Sequence, residues 1–200
     1  MSFVNVPDVF IGSTDDAYTF VVLNRPIRGA NSLLTGAGFT ARKINDRTVY
    51  LLPPTPSEEA NEQAGIAMYG LSARTLDVVD LSWTTRWSPQ VPRPDPGIRF
   101  TLTSTTFQAT ATTEVARLVL EQHGFARSAD GPSYQPATPL GMAHLLGAVV
   151  RAEAHAHAYG ITVRVDLGIS TPDAIPAPAP RPSATVPGRR GAEPAPRRSR

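Results

Sequence analysis

The sequence predicts an α+β protein: a tandem duplication of a small ferredoxin-like (βαββαβ) module, followed by a disordered C-terminal tail. Three observations lead there. An ordered set of residues recurs in the two halves of the chain. Within each half, helix-spaced and strand-spaced apolar patterns follow one another in the same order. Residues 171–200 hold eight prolines and six arginines and lack any aromatic residue, so they cannot bury enough surface to offset their ordering entropy.

The first half reads Gly38-Phe39, Tyr50, Pro53, Thr55-Pro56 and Asp80-Leu81; the second reads Gly124-Phe125, Tyr134, Pro136, Thr138-Pro139 and Asp166-Leu167. In order, the elements of each copy are as follows. Tyr18–Leu23, rich in aromatic and β-branched residues, reads as the opening strand of the first copy, and the threonine-rich run Phe100–Phe107 as that of the second. A helix follows, with apolar positions Ile27, Ala30, Leu33 and Leu34 in one copy and Val115, Leu118 and Val119 in the other. Gly38 and Gly124 stand where a C-terminal left-handed glycine would end it. A hairpin comes next: Phe39–Ile44 and Thr48–Leu52 flank Asn45-Asp46-Arg47, and Phe125–Ala129 and Ser133–Gln135 flank Asp130-Gly131.

The second helix of the first copy is predicted to open on a capping box, Thr55-Pro56-Ser57-Glu58, with Thr138-Pro139 its counterpart. Counted from those threonines, Ala60, Ala64, Ala67 and Leu71 match Ala143, Gly147, Val150 and Ala154 as a helix face that lies close to a sheet. Leu76–Leu81 and Ile161–Leu167 close the two copies as strands. The domain reading is an N-terminal arm at 1–12, a module at 13–87, a proline-rich linker at 88–97, a second module at 98–170 and the tail at 171–200. Because the opening strand of the first copy is apolar on both faces, its sheet needs a second cover, supplied by the other module or by a second chain.

Charge sits mainly in the tail. The whole chain carries +2, and the six tail arginines against Asp173 and Glu193 give +4, which leaves residues 1–170 at −2. A basic folded surface is therefore not predicted, and nucleic-acid contact is assigned only to the tail, through Arg189, Arg190, Arg197 and Arg198. The absence of cysteine excludes disulfides, thiolate metal sites and cysteine nucleophiles. Residues 1–12 lack the pattern of a signal peptide, and no apolar run approaches a membrane span, so a cytoplasmic protein without membrane contact is expected.

No constellation marks an active site, and no cofactor or metal is expected. Asp80 and Asp166 are the only acidic residues matched between the copies; on strands at a sheet edge such charges discourage pairing with other chains. Glu153 and His157 are four apart on one predicted helix, but His155 points away from both and His144 is too far along the axis, so zinc would lack ligands. Gly36-Ala37-Gly38 follows a helix rather than a strand, the wrong context for a phosphate loop. The third strand, Arg47–Leu52, lacks the glycine and spaced aromatics of RNA-recognition modules. Trp83, Arg86 and Trp87 remain: they either seal the seam between modules or contact a partner.

The pattern Ala37-Gly38-Phe39, Tyr50-Leu51-Leu52-Pro53 and Val78-Val79-Asp80 resembles uncharacterised proteins of actinobacterial chromosomes and mobile elements, a resemblance that implies no particular activity. The expectation for function is a non-catalytic binding or accessory protein acting through a protein partner, a second copy of itself or weak nucleic-acid contacts. The alternatives are a small-ligand, amino-acid-like sensor pair, and an enzyme of unrecognised type.

Overall fold

The computed structural model describes residues 2–86, 95–102, 106–129 and 131–179. Among the described residues ten strands form two five-stranded sheets. The first contains β1 (Val9–Ser13), β2 (Thr19–Leu23), β3 (Thr40–Ile44), β4 (Arg47–Leu52) and β5 (Val78–Asp80) in the order β3-β4-β2-β1-β5. The second contains β6 (Ile98–Leu102), β7 (Phe107–Ala111), β8 (Phe125–Arg127), β9 (Tyr134–Pro136) and β10 (Val163–Asp166) in the order β10-β6-β7-β9-β8. Substituting each strand by its counterpart five places on turns one order into the other. Helices α1 (Ala30–Gly36) and α2 (Ser57–Ser72) belong to the first copy, and α4 (Glu114–Gln122) and α5 (Met142–Ala158) to the second; the short α3 (Ser82–Thr85) follows β5.

The repeating unit is ββαββαβ, which corrects the four-stranded ferredoxin-like sheet. The extra strand of the first copy, β1, lies largely in the segment expected as an N-terminal arm. It forms an antiparallel hairpin with β2 and pairs in parallel with β5, so it stands between the two strands that a four-stranded sheet would place side by side. In the second copy the stretch Phe100–Phe107, expected as one strand, spans parts of two, β6 and β7. In both copies the closing strand lies at the sheet edge, as the matched aspartates suggested.

Local chemistry accounts for most element boundaries. Gly38 and Gly124 adopt φ +86° and +84° and terminate α1 and α4. Asn45 and Asp46 both have positive φ, the two-residue turn that matches strand twist, so Arg47 is already the first residue of β4. Thr113 caps α4 by accepting from the Ala116 N–H at 3.2 Å. The predicted capping box does not form: α2 begins at Ser57 without a side-chain cap, and the Thr55 hydroxyl is buried with no hydrogen-bond partner among the described residues.

The second helix of the second copy also starts later than Thr138-Pro139 implied, at Met142. The repeat register therefore runs from the first helical residue. Counted that way, Ala60, Ala64, Ala67 and Leu71 correspond to Leu145, Val149, Ala152 and Ala156, all fully or almost fully buried. The face predicted for the second copy (Ala143, Gly147, Val150, Ala154) is rotated away from the sheet, and Val150 and Ala154 are left for another role.

Two cores result. Val9, Ile11, Val21, Tyr50 and Leu52 on one face of the first sheet pack under α1 and α2. The opposite face, Phe10, Phe20, Val22 and Leu51, joins Phe3 and Val4 and a cluster that runs through the second module to Phe100, Val149 and Val165. The two modules thus share one core, and the second cover that the first sheet needs comes from within the chain. Gly12 marks a close approach: a Cβ there would stand 3.0 Å from Phe10, 3.1 Å from Phe20 and 3.2 Å from Leu167 of the second module.

Residues 167–177 cross this face as a strap. Its Ile169 and Ser170 carbonyls accept from the Asp15 and Asp16 N–H groups at 2.9 and 3.2 Å. Further on, Asn45 Nδ2 donates to the Asp173 and Ile175 carbonyls at 3.1 and 2.8 Å, Arg47 donates to the Pro176 carbonyl, and Asn5 donates to that of Ala177. Ile175 is fully buried. Residues 171–177, assigned from composition to a disordered tail, are therefore built into the fold. The rest of the tail from 180 onward lies outside the described residues.

Candidate functional site

The closing strand of each copy ends at a common seam. Between them lies a cleft of about 910 Å³, walled on one side by α2, β5 and α3 and on the other by α5 and the strand β10 with its approach. Its apolar wall includes Met68, Val78, Trp83, Val150, Ile161 and Val163; its polar groups include Asp80, Thr84, Arg86, Glu153, His157 and Arg164. Each carboxyl is held by secondary structure of a different repeat. Asp80 is the last residue of β5 and Glu153 sits two-thirds of the way along α5. Val150, Glu153, Ala154 and His157 recur at helical spacing, so they form one face of α5, the one rotated away from its own sheet.

Burial raises both carboxyls above their ordinary range. For Asp80 the rise is opposed by the Ser82 N–H, which donates to Oδ1 at 2.9 Å. For Glu153 burial is the main cause, the nearby Asp80 charge adds to it, and a hydrogen bond with Thr84 opposes it; the outcome is about 7. Among the described residues neither carboxyl forms a salt bridge. The arginines of the cleft are engaged elsewhere: Arg164 pairs with Asp166, and the buried Arg86 donates to the Thr19 hydroxyl inside the first module.

The residues predicted from sequence as partner contacts fall into different places. Arg86 is 4% exposed and Trp83 is 57% exposed, so the pair divides between seam and surface. Trp83 also forms one wall of a second hollow, of about 850 Å³, with Glu58, Glu62, Ile66 and Tyr69 along the outer side of α2. Trp87, Arg189, Arg190, Arg197 and Arg198 lie outside the described residues. Of the histidines, His157 faces the cleft, while His155 turns away and meets His123, Nδ1 to Nε2, at 3.1 Å. Burial, with His155 and Arg151 nearby, lowers the His123 pKa. No group of three or more metal-ligating side chains exists among the described residues, and no described helix is long and apolar enough to cross a membrane.

Asp80 and Glu153 were each legible in the sequence, but as isolated features. In the sequence Asp80 is a repeat marker and Glu153 the neighbour of histidines. Only the packing of one repeat on the other brings them to one cleft. The face of α5 that carries Glu153 with Val150 and Ala154 reads in the sequence as the one toward its own sheet, and the helix start at Met142 turns it to the cleft instead.

No protein-family model matches the chain, and neither a curated protein nor a solved structure matches it significantly.

Proposed function

We propose that the protein binds a small ligand in the cleft between its two repeats, the sensor-type role among the binding functions that the sequence left open. The observation that carries this reading is the cleft itself. Its volume falls within the range of small-molecule sites, and apolar walls with a few convergent polar groups are the usual composition of such sites. Its position also gives binding a consequence, because a molecule held there touches both repeats and stabilises their packing.

The test is a thermal-shift screen of a metabolite panel against the full chain and a Val150→Trp variant. Val150 is half-buried on the cleft wall, so tryptophan there fills the space without entering the main core. Compounds that raise the melting temperature of the natural chain and not of the variant support the reading. A panel without such a compound, or equal shifts in both proteins, contradicts it.

Contact with a protein partner is the second reading, supported by the exposed Ile66 and Tyr69 on the outer side of α2 and the exposed Trp83 of α3 beside them. Tyr69→Arg would abolish such an association and leave the cleft intact. Sedimentation of the two proteins, alone and with cell extract fractions, separates these roles.

A further inference from the structure

We infer that the ligand of the seam cleft carries a basic nitrogen, an ammonium or amidinium on an apolar body, which sits between the carboxyls of Asp80 and Glu153. This deepens the small-ligand reading and rests on it. The argument begins with the cost of what is observed. Two carboxyls that arrive from different repeats are partly withdrawn from water, and neither has a salt bridge among the described residues. Buried carboxylates ordinarily come with a cation or a full set of donors, because an unpaired buried charge is expensive. Here the donors are the Ser82 N–H and the nearby Thr84 hydroxyl, fewer than two ionised carboxylates accept.

The charged groups that face this point are Asp80 from β5, Arg86 just after α3, Glu153 and His157 from α5, and Arg164 from β10. The two arginines are directed to Thr19 and to Asp166, and neither is among the charges that act on Asp80 or Glu153, so neither serves these carboxyls as a counter-ion. An incoming ammonium supplies the missing counter-charge and up to three donors. It binds the ionised pair, so it displaces the proton that Glu153 otherwise retains near neutrality. Trp83, on the wall, offers an aromatic face to the same cation or to the ligand's apolar body.

The experiment uses three probes of one shape and different charge: 2-(1-naphthyl)ethylamine, 2-(1-naphthyl)ethanol and 1-naphthylacetate. Titration of the full chain at pH 8, followed by calorimetry or by amide chemical shifts, should place the amine about tenfold or more ahead of the alcohol, as a charge-assisted hydrogen bond gives. The preference should shrink to within about threefold in Glu153→Gln and Asp80→Asn, which keep the shape and remove the charge. It should also weaken in the natural chain as the pH falls from 8 to 5.5, because protonation of Glu153 removes one of the site's two negative charges.

Equal binding of amine and alcohol would overturn the inference while leaving the cleft reading in place. Preference for the acetate would overturn it in favour of an arginine-directed site. Failure of all three to bind would contradict the cleft reading itself, and with it the inference.

Discussion

Glu153 of the second repeat lies near enough to Asp80 of the first for the Asp80 charge to raise its pKa, although 73 positions separate them in the chain. The relationship exists only because the repeats pack on each other. It joins the fold to the proposed function: the surface that closes the core also creates a cleft with two acids in it.

Glu153 makes stability pH-dependent with a definite sign. Its folded pKa is raised from 4.5 to about 7, so its contribution is full below the unfolded value and is lost as pH rises through about 7. Over that window the loss is on the order of 3 kcal/mol. Glu153→Gln mimics the protonated state. Urea unfolding at several pH values should show this variant and the natural chain equally stable near pH 4.5, with the variant more stable by about 2–3 kcal/mol at pH 8.

Gly12 lies where the first sheet meets Leu167 of the second module. A methyl group there meets Phe10, Phe20 and Leu167 within 3.2 Å. Gly12→Val should cost about 1–3 kcal/mol by overpacking, and Gly12→Ala less. Hydrogen exchange should show the loss shared between both sheets, since the core is continuous across them.

The strap is predicted to contribute to stability although its composition reads as tail. Ile175→Ala removes a fully buried side chain and should cost about 2–4 kcal/mol. Asn45→Gly suits the positive φ of that turn and removes only the two hydrogen bonds to Asp173 and Ile175, for about 1–2 kcal/mol. Thermal melts of both variants check these values.

Trp83 should matter to ligand affinity more than to folding. More than half exposed, it contributes little to the core. Trp83→Ala is expected to shift the melting temperature by less than about 2 °C and to weaken a bound naphthyl probe about tenfold, the value of one aromatic contact.

The duplication was legible in the sequence because its signals are local. Gly38 and Gly124 end helices through their own backbone freedom, and Asn45-Asp46 makes a turn whatever surrounds it. The strand β1 was hidden because Pro7 and Asp8 stand just before it and Gly12 interrupts it; only the close approach of Phe10, Phe20 and Leu167 explains that glycine. The threonine-rich run 100–107 read as one strand because no glycine, proline, asparagine or aspartate stands between Leu102 and Phe107 to mark a break. Thr55 and Thr138 misplaced the helix starts, and with them the face that α5 turns to its sheet. The strap was missed for a different reason: proline-rich composition says nothing of a single isoleucine with a prepared cavity. The site lay out of reach because its two acids belong to different repeats, and no local pattern in either repeat specifies how they meet.

The claim that the repeats close on each other around Asp80 and Glu153 is tested most directly by titrating the Glu153 side chain itself. In protein labelled with ¹³C-glutamate, its carboxyl resonance is identified by its loss in Glu153→Gln. A midpoint near 7 that falls, but stays above 4.5, in Asp80→Asn is the predicted result, because burial is the larger cause and the Asp80 charge the smaller. A midpoint near 4.5 in the natural chain would place Glu153 in open water and contradict the seam.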